Sequence, residues 1–471
     1  MPGQSEISRR EFLKKSAKSG AGLAALGGVR MVDKPQRILG ANDRVRVAVV
    51  GLHGQGFSHV EEYAKLPDVE IAAVCDVDEN VMSQRLADMA KMGLPKPETY
   101  VDIRKLLDDR ALDAVSIATP NHWHSLIGIW ACQAGKDVYV EKPCSHNWWE
   151  GRQLVRAAQK YDRIVQHGTN CRSSEAIRDA VQKMREGLLG EVYLSRGLCF
   201  RRRDTIGRAP AEQVPPGVHY DLWTGPAPLK PFTRNRFHYN WHWIWDTGNG
   251  DIGNQGIHEM DVARWGLGVK FPNKVSASGG HFMFDDDQET PNTLNCAFEF
   301  VMAGGKRKML VFEVRHWMAN HEAGIGLPQF GEAEVSPGPG VVNTPKPSAR
   351  RWNATVGNIL YGSKGYLAMN ICDSYRSWLG ETQEPGPSSS QPGNNWANFL
   401  DCVRTRRKES LNAPIEEGHI SSTLVHLANA SYRLGRTINF DPEHEQVIGD
   451  DEADRLLRGT YRSPYVVPEE V

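Results

Sequence analysis

A strand that runs straight into a glycine turn constrains this chain more than any other feature. Val45–Val50 is a valine-rich run leading into Gly51, Gly54 and Gly56, with a helical pattern from Phe57 onward. Glycines at a strand-to-helix turn let the backbone approach a pyrophosphate, which rests on the helix N-terminus. Glu70–Cys75 reads as the next strand, and Asp76 falls where an acidic side chain takes ribose hydroxyls. Gln55 lies inside the turn and joins the expected dinucleotide-binding set. His53 is the departure, since it stands where a second glycine is usual. The charge of Asp76 favours NAD over NADP, because it would repel a 2′-phosphate.

The pattern continues as an α/β fold. From residue 43 to 168 strands alternate with helices, as in an N-terminal Rossmann domain with a doubly wound parallel sheet. Asp113–Ala118 reads as a strand ending in Thr119, Pro120, Asn121 and His122, with His124 just beyond and a helix over Ser125–Ala134. Asp137–Val140 is another strand, ending in Glu141, Lys142 and Pro143, and Ile164–Gln166 a further one. Strand ends of a parallel sheet form the ligand crevice, so Thr119–His122 and Glu141–Lys142 join the turn as candidate cofactor contacts, and His124 is a candidate substrate contact. Residues 169–440 change texture, with longer loops and alternating strands such as Leu294–Val301 and Lys308–Arg315. They predict an α+β domain with an open, mostly antiparallel sheet and helices at Trp396–Arg406 and Gly418–Leu434. Gly324–Ala349 and Glu381–Gly393 read as surface loops, and 441–471 as a C-terminal tail.

Residues 1–40 read as a leader. Ser8-Arg9-Arg10-Glu11-Phe12-Leu13-Lys14 matches the twin-arginine export consensus, which predicts a periplasmic protein carried across the membrane already folded. The small-residue stretch behind it is shorter than the ~20 apolar residues of a membrane span. Lys plus Arg number 56 and Asp plus Glu 57, a balance that gives no general attraction to nucleic acid or membrane. The eight cysteines show neither C-x-x-C nor zinc spacing. They predict no disulfide framework and no metal centre, in a protein that folds in a reducing cytosol before export.

Catalytic candidates follow from position. Lys142 at a strand end is a cation beside the nicotinamide, able to polarise a hydroxyl that becomes a carbonyl. Asn254, His258 and Asp261 are spaced to share one helix face, and His258 is the preferred general base for taking a hydroxyl proton. In Phe237–Trp245 (FHYNWHWIW) the indoles of Trp241, Trp243 and Trp245 alternate, so a strand would show a sugar ring one aromatic face; packing into the core is the competing expectation.

The glycine turn, Thr119–His124, Glu141-Lys142-Pro143, Gly250–Trp265, Tyr361–Leu367 and Asn398–Arg406 together resemble the glucose–fructose oxidoreductase / inositol dehydrogenase / MocA (Gfo/Idh/MocA) family. The resemblance covers Val45 to Pro442. It implies NAD(P)-dependent chemistry on sugars and polyols, a catalytic lysine at Lys142, an arginine near the site at Arg172, and a homo-oligomer built through the second domain. In inositol-type dehydrogenases an aspartate stands one turn before the histidine; here that position is Asn254. Three functions follow as expectations: an exported sugar or polyol oxidoreductase with tightly bound nicotinamide; a redox-neutral NAD-dependent glycosidase; and a sugar-binding protein without turnover.

Overall fold

A computed structural model describes residues 44–327 and 354–471. The twin-arginine segment and residues 328–349 of the expected loop lie outside the described residues.

Six parallel strands form the first sheet: β1 (Val45–Val50), β2 (Val69–Cys75), β3 (Glu98–Tyr100), β4 (Ala114–Ile117), β5 (Asp137–Val140) and β6 (Val165–His167), in the order β3-β2-β1-β4-β5-β6. The order reverses between β1 and β4, where Val50 pairs with Ile117, so the crevice opens at their C-terminal ends. β1, β4 and β5 are almost wholly buried, as strands covered by helices on both faces must be. Helices begin earlier than the sequence pattern suggests. Gly54–Ala64 starts at the glycine turn and not at Phe57, and Asn121–Gln133 starts at once after Pro120 and not at Ser125. Pro120 explains the second case, because its fixed φ suits a helix entrance.

Ten strands form the second sheet: β7 (Val192–Arg201), β8 (Lys274–Gly280), β9 (Thr293–Val301), β10 (Arg307–Arg315), β11 (Ala354–Gly362), β12 (Gly365–Asn370), β13 (Ser374–Leu379), β14 (Glu384–Ser389), β15 (Ile438–Asp441) and β16 (Gln446–Val447). Their order is β14-β13-β12-β11-β7-β10-β9-β8-β15-β16, and only β7 with β10 runs parallel, so the sheet is mixed and mostly antiparallel. Helices Gly256–Leu267 and Ile415–Leu434 share one apolar core with it, through Ile257, Met260, Phe312, Leu360 and Leu424.

Three expectations are corrected. Glu381–Gly393 is not all loop, since β14 lies within it. Trp241, Trp243 and Trp245 do not alternate along a strand: Asn240–Trp243 is a turn of 3₁₀ helix, and Trp241 packs with Tyr220, Trp223, Phe232 and Phe237. The cysteines are not all reduced, because Cys171 and Cys372, 201 residues apart, form a disulfide. The last segment packs back on the Rossmann domain, with Tyr465 and Val467 buried in its core. Among the described residues no helix is long and apolar enough to cross a membrane.

Candidate active site

The glycine turn is built by close approach. Gly51 has φ +82°, and a Cβ there would lie 2.8 Å from the Ala118 carbonyl oxygen; one on Gly56 would lie 1.6 Å from that of Gly51. The N-cap residue His53 makes no side-chain cap on helix Gly54–Ala64, which leaves its first N–H groups open to an anion. Asp76 braces the turn, accepting from the Leu52 N–H at 2.7 Å and the Asp78 N–H at 2.9 Å. Burial pushes its carboxyl up to about 6 against the pull of those bonds. A carboxylate has further lone pairs for ribose hydroxyls. At the end of β4, Thr119 Oγ1 and Asn121 Oδ1 are buried with no hydrogen-bond partner among the described residues, which fits polar ligand atoms close by. These features fit a bound dinucleotide.

Glu141 and Lys142 follow β5, and the Lys142–Pro143 peptide is cis. Glu141 Oε1 accepts from Gln55 Nε2 at 2.9 Å and lies 3.1 Å from His59 Nε2. Burial alone would raise the Glu141 carboxyl, but the bond and charge of His59, with Lys142, hold it down at about 2. Gln55 thus braces Glu141 from inside the turn. His59 was not anticipated; its place two turns into the amphipathic helix gives no sign that it meets a strand end. Lys142 Nζ reaches into the second domain and donates to the Asn254 carbonyl at 2.8 Å.

Along residues 250–264 only Asn254 and His258 keep partial exposure, and Lys142 is half-buried opposite them. The chain breaks between helices Gly250–Asn254 and Gly256–Leu267, so Asn254 does not lie on the same helix as His258, as its spacing suggested. Burial first, and then the charge of Lys142, hold the His258 imidazole down at about 3. It is therefore neutral near pH 7. Its Nδ1 lies 3.9 Å from Cys171 Sγ, and Nε2 makes no hydrogen bond among the described residues. Cys171, Cys372 and His258 place their donor atoms within 4.8 Å of one another. The two sulfurs are bonded to each other, so they are not thiolates available to a metal.

Asp251 accepts from Asn254 Nδ2 at 3.3 Å. It is buried and gripped by Arg203 at 2.6 and 2.8 Å. Asp261 is also engaged: it accepts from Arg172 at 2.7 and 2.9 Å and from Ser421 Oγ at 2.6 Å, while Arg172 also donates to Glu417 at 3.0 Å. This puts Arg172 and Asp261 in the frame of the site, not among groups free to bind substrate. His124 lies 2.7 Å from the carbonyls of both Thr119 and Pro143 and joins the two crevice loops. His122 turns from the cofactor crevice toward the second domain, 3.0 Å from the Trp223 carbonyl. Trp243 is 3% exposed, with Arg203 over its ring, and offers no open platform. Tyr239, which carries no signal in the sequence, is exposed, and its hydroxyl accepts from Arg203 at 3.0 Å.

A glycine turn, an acidic residue after β2 and a lysine facing a histidine across the crevice define a dinucleotide-binding Rossmann protein with a candidate active site at its crevice. Residues 45–169 match the oxidoreductase family's NAD-binding Rossmann fold, and 201–285 with 359–467 match its C-terminal alpha/beta domain. The chain belongs to this family, Gfo/Idh/MocA.

Similar proteins include a glycosyl hydrolase family 109 protein of Shewanella sp. (strain W3-18-1), 31% identical over 203 residues, and that of Shewanella putrefaciens, 30% identical over 203 residues. Each match covers 40% of this chain, and the chain spans 44% of the length of these relatives. The fold is similar to that of aldose-aldose oxidoreductase from Caulobacter crescentus complexed with glycerol (TM-score 0.60, 17% identity, 84% of this chain and 100% of that one). It is also similar to the WlbA dehydrogenase from Bordetella pertussis in complex with NADH and UDP-GlcNAcA (TM-score 0.58, 17% identity, 84% and 99%).

Proposed function

We propose that this protein oxidises a hydroxyl of a sugar or polyol, with a tightly held NAD as hydride acceptor. The observation that carries the reading is the partial exposure of Lys142, Asn254 and His258 alone among buried neighbours, facing one crevice. Bound nicotinamide supplies a hydride acceptor at C4. Neutral His258 takes the hydroxyl proton while Lys142 stabilises the oxygen as it becomes a carbonyl. Asn254 and Tyr239 orient the sugar by hydrogen bonds. Arg172, Asp261 and His124 act as positioning residues, holding the loops that carry the site.

A redox-neutral glycosidase is the second reading. Oxidation acidifies the C–H beside the new carbonyl, the aglycone is eliminated, water adds, and the carbonyl is reduced again. Asn254 in place of an aspartate favours it, as does the likeness to glycosyl hydrolase family 109 proteins. The twin-arginine motif and the Cys171–Cys372 bond both support an exported protein in an oxidising compartment. Exposed Val301 and Met309, on one face of the second sheet, support a homo-oligomer through it.

The test is purified protein without added nucleotide, offered aryl glycosides and free sugars. Product only with an acceptor present identifies the oxidoreductase. Aglycone release without one identifies the glycosidase. Protein that neither retains nor binds nucleotide contradicts both.

A further inference from the structure

The position where the turn lacks its usual second glycine carries a device of its own. His53 has φ −64°, so the backbone there does not need glycine, and its side chain caps none of the N–H groups of helix Gly54–Ala64. Its ring instead stacks on His238 of the second domain, with centroids 4.6 Å apart and planes within 14°. His238 holds a left-handed backbone at φ +61°, a region uncommon outside glycine that histidine visits more than most residues. Its Nε2 lies 3.0 Å from Asp78, two residues beyond the ribose-binding Asp76. The two imidazoles therefore span the distance between the phosphate turn and the ribose loop.

The chain leading to His238 is tied to the same loop. Glu79 N–H donates to the Gly217 carbonyl at 2.9 Å, His219 N–H to the Val77 carbonyl at 2.8 Å, and Asn80 Nδ2 to the Pro216 carbonyl at 2.9 Å. Residues 215–239 thus run as a strap from the outer side of Asp76 to the glycine turn.

We propose that His53 and His238 bind the pyrophosphate of the dinucleotide and latch this strap over it, so that the nucleotide stays through turnover. The proposal rests on the nucleotide reading above. Partial burial lowers both imidazoles, and the charges of His238 and Arg85 lower His53 further; Asp78 is the acid that faces the pair. Burial thus outweighs the pull of Asp78, and both imidazoles lie below the ordinary histidine value before a phosphate arrives. A dianionic pyrophosphate favours their protonated forms, whose N–H groups make charge-assisted hydrogen bonds. Binding then takes up protons, and affinity rises as pH falls.

The experiment measures NAD⁺ and adenosine binding by calorimetry on the full chain stripped of nucleotide. Wild type, His53→Gly, His238→Ala and the double variant are compared. His53→Gly restores the residue usual in such turns, so it should fold. Each single variant is expected to weaken NAD⁺ about tenfold or more, the loss of one charge-assisted hydrogen bond. Adenosine, which has no phosphate, should bind all four alike. Wild-type affinity for NAD⁺ should strengthen from about pH 8 to about pH 6, and the double variant should lose that dependence. NAD⁺ binding to His53→Gly as tight as wild type, or tighter, overturns the proposal, because the ring would then stand in the phosphate's way. Wild type that binds adenosine but not NAD⁺ overturns it too. Wild type that binds neither sinks the nucleotide reading itself.

Discussion

Lys142 Nζ donates to the backbone carbonyl of Asn254 at 2.8 Å, which fixes a cation of the first domain against the element that leads into His258. A preorganised cation at a developing oxygen charge is worth about 10²–10³ in rate. Lys142→Met should lose that much turnover while nucleotide still co-purifies, which steady-state kinetics and release on denaturation would check. Loss of nucleotide together with activity would mean that Lys142 serves binding instead.

His258→Asn should cost about 10²–10⁴ in turnover as the proton acceptor is removed. Because burial and Lys142 hold the imidazole near 3, the acid limb of the turnover–pH profile should lie well below the usual histidine range. Removing the Lys142 charge should move that limb upward. A limb at the ordinary value in wild type would show that His258 is solvated during turnover.

The Cys171–Cys372 bond joins the segment carrying Arg172 to the turn between β12 and β13. Closing a loop of 201 residues stabilises by up to about 5 kcal/mol through the unfolded chain. Cys372→Ser, or thiol reduction, should lower the denaturant midpoint accordingly. An unchanged midpoint would mean that the bond constrains little of the unfolded ensemble.

Glu150 and Glu259 are buried carboxyls that burial pushes up to about 8, from an ordinary 4.5. The folded state therefore holds protons that the unfolded state releases. Their contribution is full below about 4.5 and is lost as pH rises toward about 8. The slope is up to about 1.4 kcal/mol per pH unit for each group. Glu259→Gln should flatten the fall in stability between about pH 5 and pH 8 in denaturant titrations. An unaltered slope would show that Glu259 is ionised in the fold.

Strands β1, β2, β4 and β5 were legible because parallel strands buried on both faces are short apolar runs with abrupt ends. The glycine turn, Asp76 and Lys142 were legible for the same reason, since each sits at such an end. What escaped the sequence depends on tertiary placement. Helical spacing put Asn254, His258 and Asp261 on one face, but the break at Gln255 and the Arg172 guanidinium separate their roles. The alternating tryptophans suggested a strand, yet packing of Trp241 against Phe237 and Trp223 favours a 3₁₀ turn. Cys171 and Cys372 carry no spacing signal, because their meeting depends on how the second sheet folds back beside the segment after β6.

The most direct measurement is a single turnover on purified protein whose retained nucleotide is in the oxidised form. Sugars and aryl glycosides are added one at a time while nicotinamide absorbance is followed. Reduced nicotinamide should appear with at least one sugar, transiently if the protein is a glycosidase and persistently if it is an oxidoreductase. His258→Asn should abolish the signal. Nucleotide that is retained but never reduced, with substrate consumed all the same, would contradict hydride transfer from a sugar as the function of this site.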